Sequence, residues 1–303
     1  MLDRARALAA ERDLDDPAEG TTAAPLQLPD HRDLAAEDAA GIPFADILAA
    51  DFDPAPPRDR IEHPWLAPAG LDSAAERLID SLPVSIGRHN RYRPVPGEDA
   101  LSTGDLLDFV AWYGHEYQVL VFRAADVRSA SRLDISRLTE AGIAAGARVY
   151  WDWTGAVDWV RSAPPRSASA VFWSTHASLW DGRAIPSGWY RPAEETAPTT
   201  LSPDGLVGED RVWRLAAFAS TVVGEALEGT GASLLHPGPS EGLPLLVLEA
   251  GQRAQPLAAA LAATSGFRSL VRYGGRVVAL PDPASTYDAI VDCAAALSAA
   301  VRS

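Results

Sequence analysis

The chain has 303 residues, 47% of them apolar, which is enough for one large core or two modest ones. A formal charge of -15 argues against nucleic acid and anionic membrane surfaces as general partners. All 26 basic residues are arginine and none is lysine, which excludes Schiff-base chemistry, a P-loop lysine and a covalent pyridoxal site.

The N-terminal MLDRARALAAERDLDD lacks the apolar centre of a signal peptide, and no run approaches the ~20 apolar residues that cross a bilayer. A cytoplasmic protein is expected. Residues 1–60 carry 14 acidic and 6 basic residues, with AAPLQLPDHRD and DFDPAPPRDR broken by proline. They read as an acidic Pro/Ala-rich arm, either a tail or a strap around a partner subunit, ahead of a single α/β domain over 61–303.

A helical pattern from Leu71 to Leu82 leads into SIGRHNRYRPVPGED, where Arg88, His89, Arg91 and Arg93 cluster in an otherwise acidic chain. On a loop, such guanidinium groups can fork onto phosphate or carboxylate oxygens, or simply pair with neighbouring acids. Ser102 or Thr103 then caps a helix, DLLDFVAWYGHEY, whose apolar face is Leu106, Leu107 and Val110, with Tyr113 as a candidate fourth member, and whose stop is Gly114. QVLVF reads as a strand, SRLDISRLTEAGIAAG as a helix, and ARVYWDW and SASAVFW as further strands.

Six of the nine tryptophans, Trp151, Trp153, Trp159, Trp173, Trp180 and Trp189, fall between Tyr150 and Tyr190. Trp151, Trp153, Trp173 and Trp180 are candidates for a platform that stacks a flat or extended substrate. An aromatic core or a dimer interface would use them as well. The stretch 192–210, rich in Pro, Ser and Thr, is the one internal place where the domain could divide. RVWRLAAFASTVVGEALEGTG is an amphipathic helix ended by glycines. Leu245 to Leu248 form a buried strand, and a polar turn opens an alanine-rich helix with Leu257 and Leu261 on its inner stripe. RSLVRYGGRVVAL is a hairpin turning at Gly274 and Gly275, and the last helix runs from Ser285 to Arg302. It carries the single cysteine, Cys293, read as a small core residue. The alternation predicts α/β or α+β layering, a mixed sheet with flanking helices.

The six histidines form no metal-binding pattern, and neither GxSxG nor GxGxxG is present. His115, beside Glu116 at a helix end, and His176, in STHASLWDGR, are the candidate general bases, each with a structural role as the alternative.

RHNRYRP followed by STGDLLDFVAWYG resembles the arginine-rich start of flavin-dependent nitroreductase-type enzymes. LEAGQRAQPLAAALAATSGF is similar to the late helix of the peptide azoline (thiazoline/oxazoline) dehydrogenases in that superfamily, with Gln252 in place of a histidine and Pro256 in place of an asparagine. The resemblance implies FMN, with Arg88, Arg91 and Arg93 on its phosphate and Gln255 facing it. It also implies a homodimeric flavoprotein oxidoreductase acting on a small or peptide substrate, as in natural-product biosynthesis. Two other readings stay open: a non-catalytic degenerate enzyme or aromatic-lined partner that presents substrate to another enzyme, and a hydrolase or transferase with a discontinuous site.

Overall fold

The computed structural model describes residues 102–156, 167–173, 209–235, 242–273, 275–282 and 284–302, together with the backbone of short strands among the rest. In chain order the first half contains strands β1 (Arg32–Asp33), β2 (His63–Pro68) and β3 (Asn90–Tyr92), then helix α1 (Thr103–Tyr113) and strand β4 (Tyr117–Arg123). A small hairpin, β5 (Ala125–Asp126) with β6 (Ser131–Arg132), precedes helix α2 (Ile135–Ala144) and strands β7 (Arg148–Asp152) and β8 (Ala170–Trp173). A ribbon of β9 (His176–Ala177) and β10 (Ala184–Ile185) leads to β11 (Gly188–Tyr190).

Seven of these strands form one sheet in the order β1-β11-β8-β7-β4-β2-β3. The run β3, β2, β4, β7, β8 is parallel, while β11 and β1 join antiparallel at one edge. Two readings change here. The arginine-rich segment expected as a loop contributes the edge strand β3, with Arg91 opposite Ala67. Arg32–Asp33, inside the acidic stretch, supplies the other edge strand.

Helix α1 starts where the sequence places it. The Ser102 hydroxyl accepts from the Asp105 N–H, and the Asp105 carboxylate accepts from the Ser102 N–H at 3.0 Å, a reciprocal capping box. Helix α2 is capped by Asp134, which accepts from the Arg137 N–H at 3.1 Å. Gly142 lets α2 lie close on β7, since a Cβ there would stand 2.5 Å from Val149 Cγ2. Leu120, Phe122, Val149, Trp151, Trp153 and Trp173 pack with Leu106, Val110 and Leu138 of these helices in the first core.

The second half comprises α3 (Glu209–Leu227), β12 (Ser233–Leu235), β13 (Leu246–Glu249), α4 (Ala254–Ala262), β14 (Phe267–Tyr273), β15 (Arg276–Pro281) and α5 (Tyr287–Arg302). Its strands make an antiparallel sheet, β12-β13-β15-β14, with Tyr273 paired to Arg276 across the expected hairpin. The two-residue period of a strand divides this sheet's side chains between two cores. Leu246, Leu248, Val277 and Ala279 face α3, α4 and α5, whereas Val247, Val278 and Leu280 belong to the first core. Polar ties cross between the halves, with Leu243 N–H donating to Ala130 O at 2.6 Å and Arg276 Nη1 to Arg128 O at 3.3 Å. Cys293 is buried against Thr264, and burial pushes its thiol pKa up. The architecture is mixed α/β, and no described helix is long and apolar enough to cross a membrane.

Candidate functional site

In open α/β sheets, ligands sit beyond the carboxyl ends of the parallel strands. Here those ends carry charge. The parallel register sets Val121 beside Tyr150 and Arg123 beside Asp152, so the last residues of β4 and β7 project side by side from one face. Asp152 is 1% exposed. Its Oδ2 lies 3.6 Å from Arg123 Nε, and its Oδ1 accepts from the Thr154 N–H at 3.0 Å and the Thr154 hydroxyl at 2.6 Å.

The same guanidinium reaches the β5 hairpin, where Arg123 Nη1 donates to Asp126 Oδ2 at 3.0 Å and Asp126 Oδ1 accepts from the Arg128 N–H at 3.0 Å. One arginine thus bridges two carboxylates and ties the loop after β4 to the loop after β7. The backbone reinforces the tie. Ala124 N–H donates to Asp152 O at 2.9 Å, and Gly155 passes so close to the hairpin that a Cβ would stand 2.2 Å from Ala125 O. Sequence reasoning missed Arg123, Asp126, Asp152 and Thr154. The available signal was that two apolar runs, QVLVF and VYW, each end on a charged residue.

Of the residues singled out from sequence, His115 lies away from this strand-end cluster. His115 is exposed in a 3-10 turn, Gly114–Glu116, that enters β4 at its amino end. Seven residues of strand, about 20 Å at ~3.3 Å per residue, separate it from the carboxyl end. His176 lies on β9 and Arg91 on β3, with only their backbones described. Arg88, Arg93 and Trp180 lie outside the described residues. Gln255 is exposed in the first turn of α4, in the other half of the chain from Arg91. Trp151, Trp153 and Trp173 are buried in the first core, and Trp151 Nε1 donates to Thr139 Oγ1 at 2.9 Å. Among the described residues, no three or more His, Cys, Asp or Glu side chains group so as to hold a metal ion.

The fold is similar to those of several solved proteins. The chain resembles a NifS-like protein from Rickettsia africae with a TM-score of 0.56 at 9% identity, covering 79% of this chain and 76% of that one. It resembles SepCysS, solved in complex with the SepCysE N-terminal domain, with a TM-score of 0.52 at 10% identity, covering 85% and 78%. Against alanine–glyoxylate aminotransferase from Nostoc sp. the TM-score is 0.50 at 15% identity, covering 92% and 82%. No family model and no curated protein matches the sequence.

These likenesses correct the nitroreductase and azoline dehydrogenase resemblance, and with it the expectations of FMN, a flavoprotein and an oxidoreductase. The physical reason lies in the segments that carried it. An alanine-rich helix with Leu257 and Leu261 on its inner face is what any strand-turn-helix unit needs to cover a sheet. The arginine-rich stretch, in turn, supplies an edge strand of the other sheet.

Proposed function

We propose that the chain is a lysine-free protein of the aminotransferase fold that acts by binding and not by Schiff-base catalysis. The donor set is the observation that carries this reading. Transfer of an amino group between amino and keto acids runs on pyridoxal phosphate, which enzymes hold as a lysine Schiff base with an aspartate or arginine at the ring nitrogen. None of the 303 residues is a lysine.

The second requirement fares little better. Asp152 is a carboxylate of the kind a protonated ring nitrogen would need, but Arg123 and Thr154 already engage it. A guanidinium 3.6 Å away opposes a second cation on the same carboxylate. The residues therefore do not fit the covalent cofactor, and the Asp126–Arg123–Asp152 bridge reads as a structural clamp between two loops.

An exchange assay tests this. With pyridoxal phosphate in excess, alanine as donor and glyoxylate as acceptor, glycine is expected to form no faster than with the cofactor alone. Saturable, protein-dependent turnover would overturn the proposal.

A further inference from the structure

Three large apolar side chains stand exposed among the described residues, Trp112 at 73%, Tyr113 at 51% and Ile143 at 42%. They share one place. Trp112 and Tyr113 end α1, Ile143 lies in the last turn of α2, and the two helix ends touch, since a Cβ on Gly114 would meet Ala145 Cβ at 2.9 Å. Phe109 backs the cluster, its ring 5.4 Å from that of Tyr113 and 6.0 Å from that of Tyr117. Because α1 runs directly into the amino end of β4, this surface lies at the opposite edge of the parallel strands from Asp152.

Its electrostatics favour one kind of occupant. Neither α1 nor α2 has a basic residue in its last turn, so two negative helix ends converge here, with His115 in the 3-10 turn that follows α1. Asp108 is one turn before Trp112, Glu140 is one turn before Ile143, and Glu116 follows Tyr113; the basic residues nearest in sequence are Arg137, His115 and Arg148. The whole chain carries -15, which opposes a second copy on this face. An exposed indole beside a negative potential is a receptor for a guanidinium or ammonium group.

We propose that the carboxyl ends of α1 and α2 form a docking surface for a basic, amphipathic segment of another protein. An arginine or lysine stacks on Trp112, and neighbouring aliphatic groups cover Tyr113 and Ile143. The surface is separate from the Arg123–Asp152 cluster, so its fate is independent of whether the chain supports turnover.

The test uses the full chain and two synthetic peptides, one alternating arginine and leucine and one alternating glutamate and leucine, with anisotropy of a peptide label as the readout. The basic peptide is expected to bind, to weaken as salt rises, and to lose at least tenfold in affinity with Trp112→Ala and with the milder Ile143→Ser. Glu228→Gln, which removes an exposed charge after α3, should leave affinity unchanged. Equal binding of the acidic peptide would overturn the proposal, as would equal losses across all three variants or none in either patch variant. Sedimentation showing a dimer that Trp112→Ala dissolves would also overturn it, by assigning the face to a second copy.

Discussion

Replacing Asp152 with alanine should lower the unfolding free energy by about 3–5 kcal/mol, the usual cost of removing one partner from a buried ion pair. The Asp152 side chain is 2% exposed and that of Arg123 15%, so solvent screens the pair little. The variant leaves Arg123 with Asp126 as its remaining described carboxylate partner and strips the Thr154 N–H and hydroxyl of their shared acceptor. Asp152→Asn keeps an acceptor oxygen for Thr154 and should lose less. Guanidinium unfolding curves separate these cases. A Tm and midpoint unchanged by Asp152→Ala would mean that the carboxylate is held for a ligand and not for the loops.

Trp151→Ala carries a loss of similar size, about 3–5 kcal/mol, because a fully buried indole leaves a cavity that the sheet cannot close. Trp151 packs at 5.4 Å from the Phe122 ring, and its N–H is the donor that reaches Thr139 Oγ1 inside α2. Trp151→Phe keeps most of the volume and gives up that hydrogen bond, so the expected loss falls to about 1 kcal/mol. Near-ultraviolet dichroism with equilibrium unfolding checks both. A stable, native-like Trp151→Ala would contradict the placement of this tryptophan in the core.

What the sequence shows of this fold tracks how local each signal is. The capping box at Ser102, the buried run around Leu246 to Leu248, the proline-opened helix at Pro256 and the hairpin between Tyr273 and Arg276 are each written within a few residues. Strand β2 was hidden, since HPWLAP places prolines at 64 and 68, where a strand interior would need donors. The two- and three-residue strands β1, β9, β10 and β11 are too short for any period to register.

The site was hidden for a different reason. Arg123 and Asp152 are 29 positions apart and meet only because β4 and β7 align in parallel, a register no local pattern specifies. His115 attracted attention by residue type, yet a candidate base depends on which end of the strand it occupies. The absence of lysine was visible from the start. It excludes a lysine Schiff base whatever the fold.

Borohydride trapping tests that conclusion most directly. The protein is equilibrated with pyridoxal phosphate, reduced, digested and mapped by mass spectrometry, with the absorbance spectrum recorded before and after reduction. The account predicts no aldimine band attributable to a side chain and no pyridoxyl-modified side chain on any peptide. A stoichiometric adduct on an internal residue, with an aldimine band that reduction removes, would contradict it.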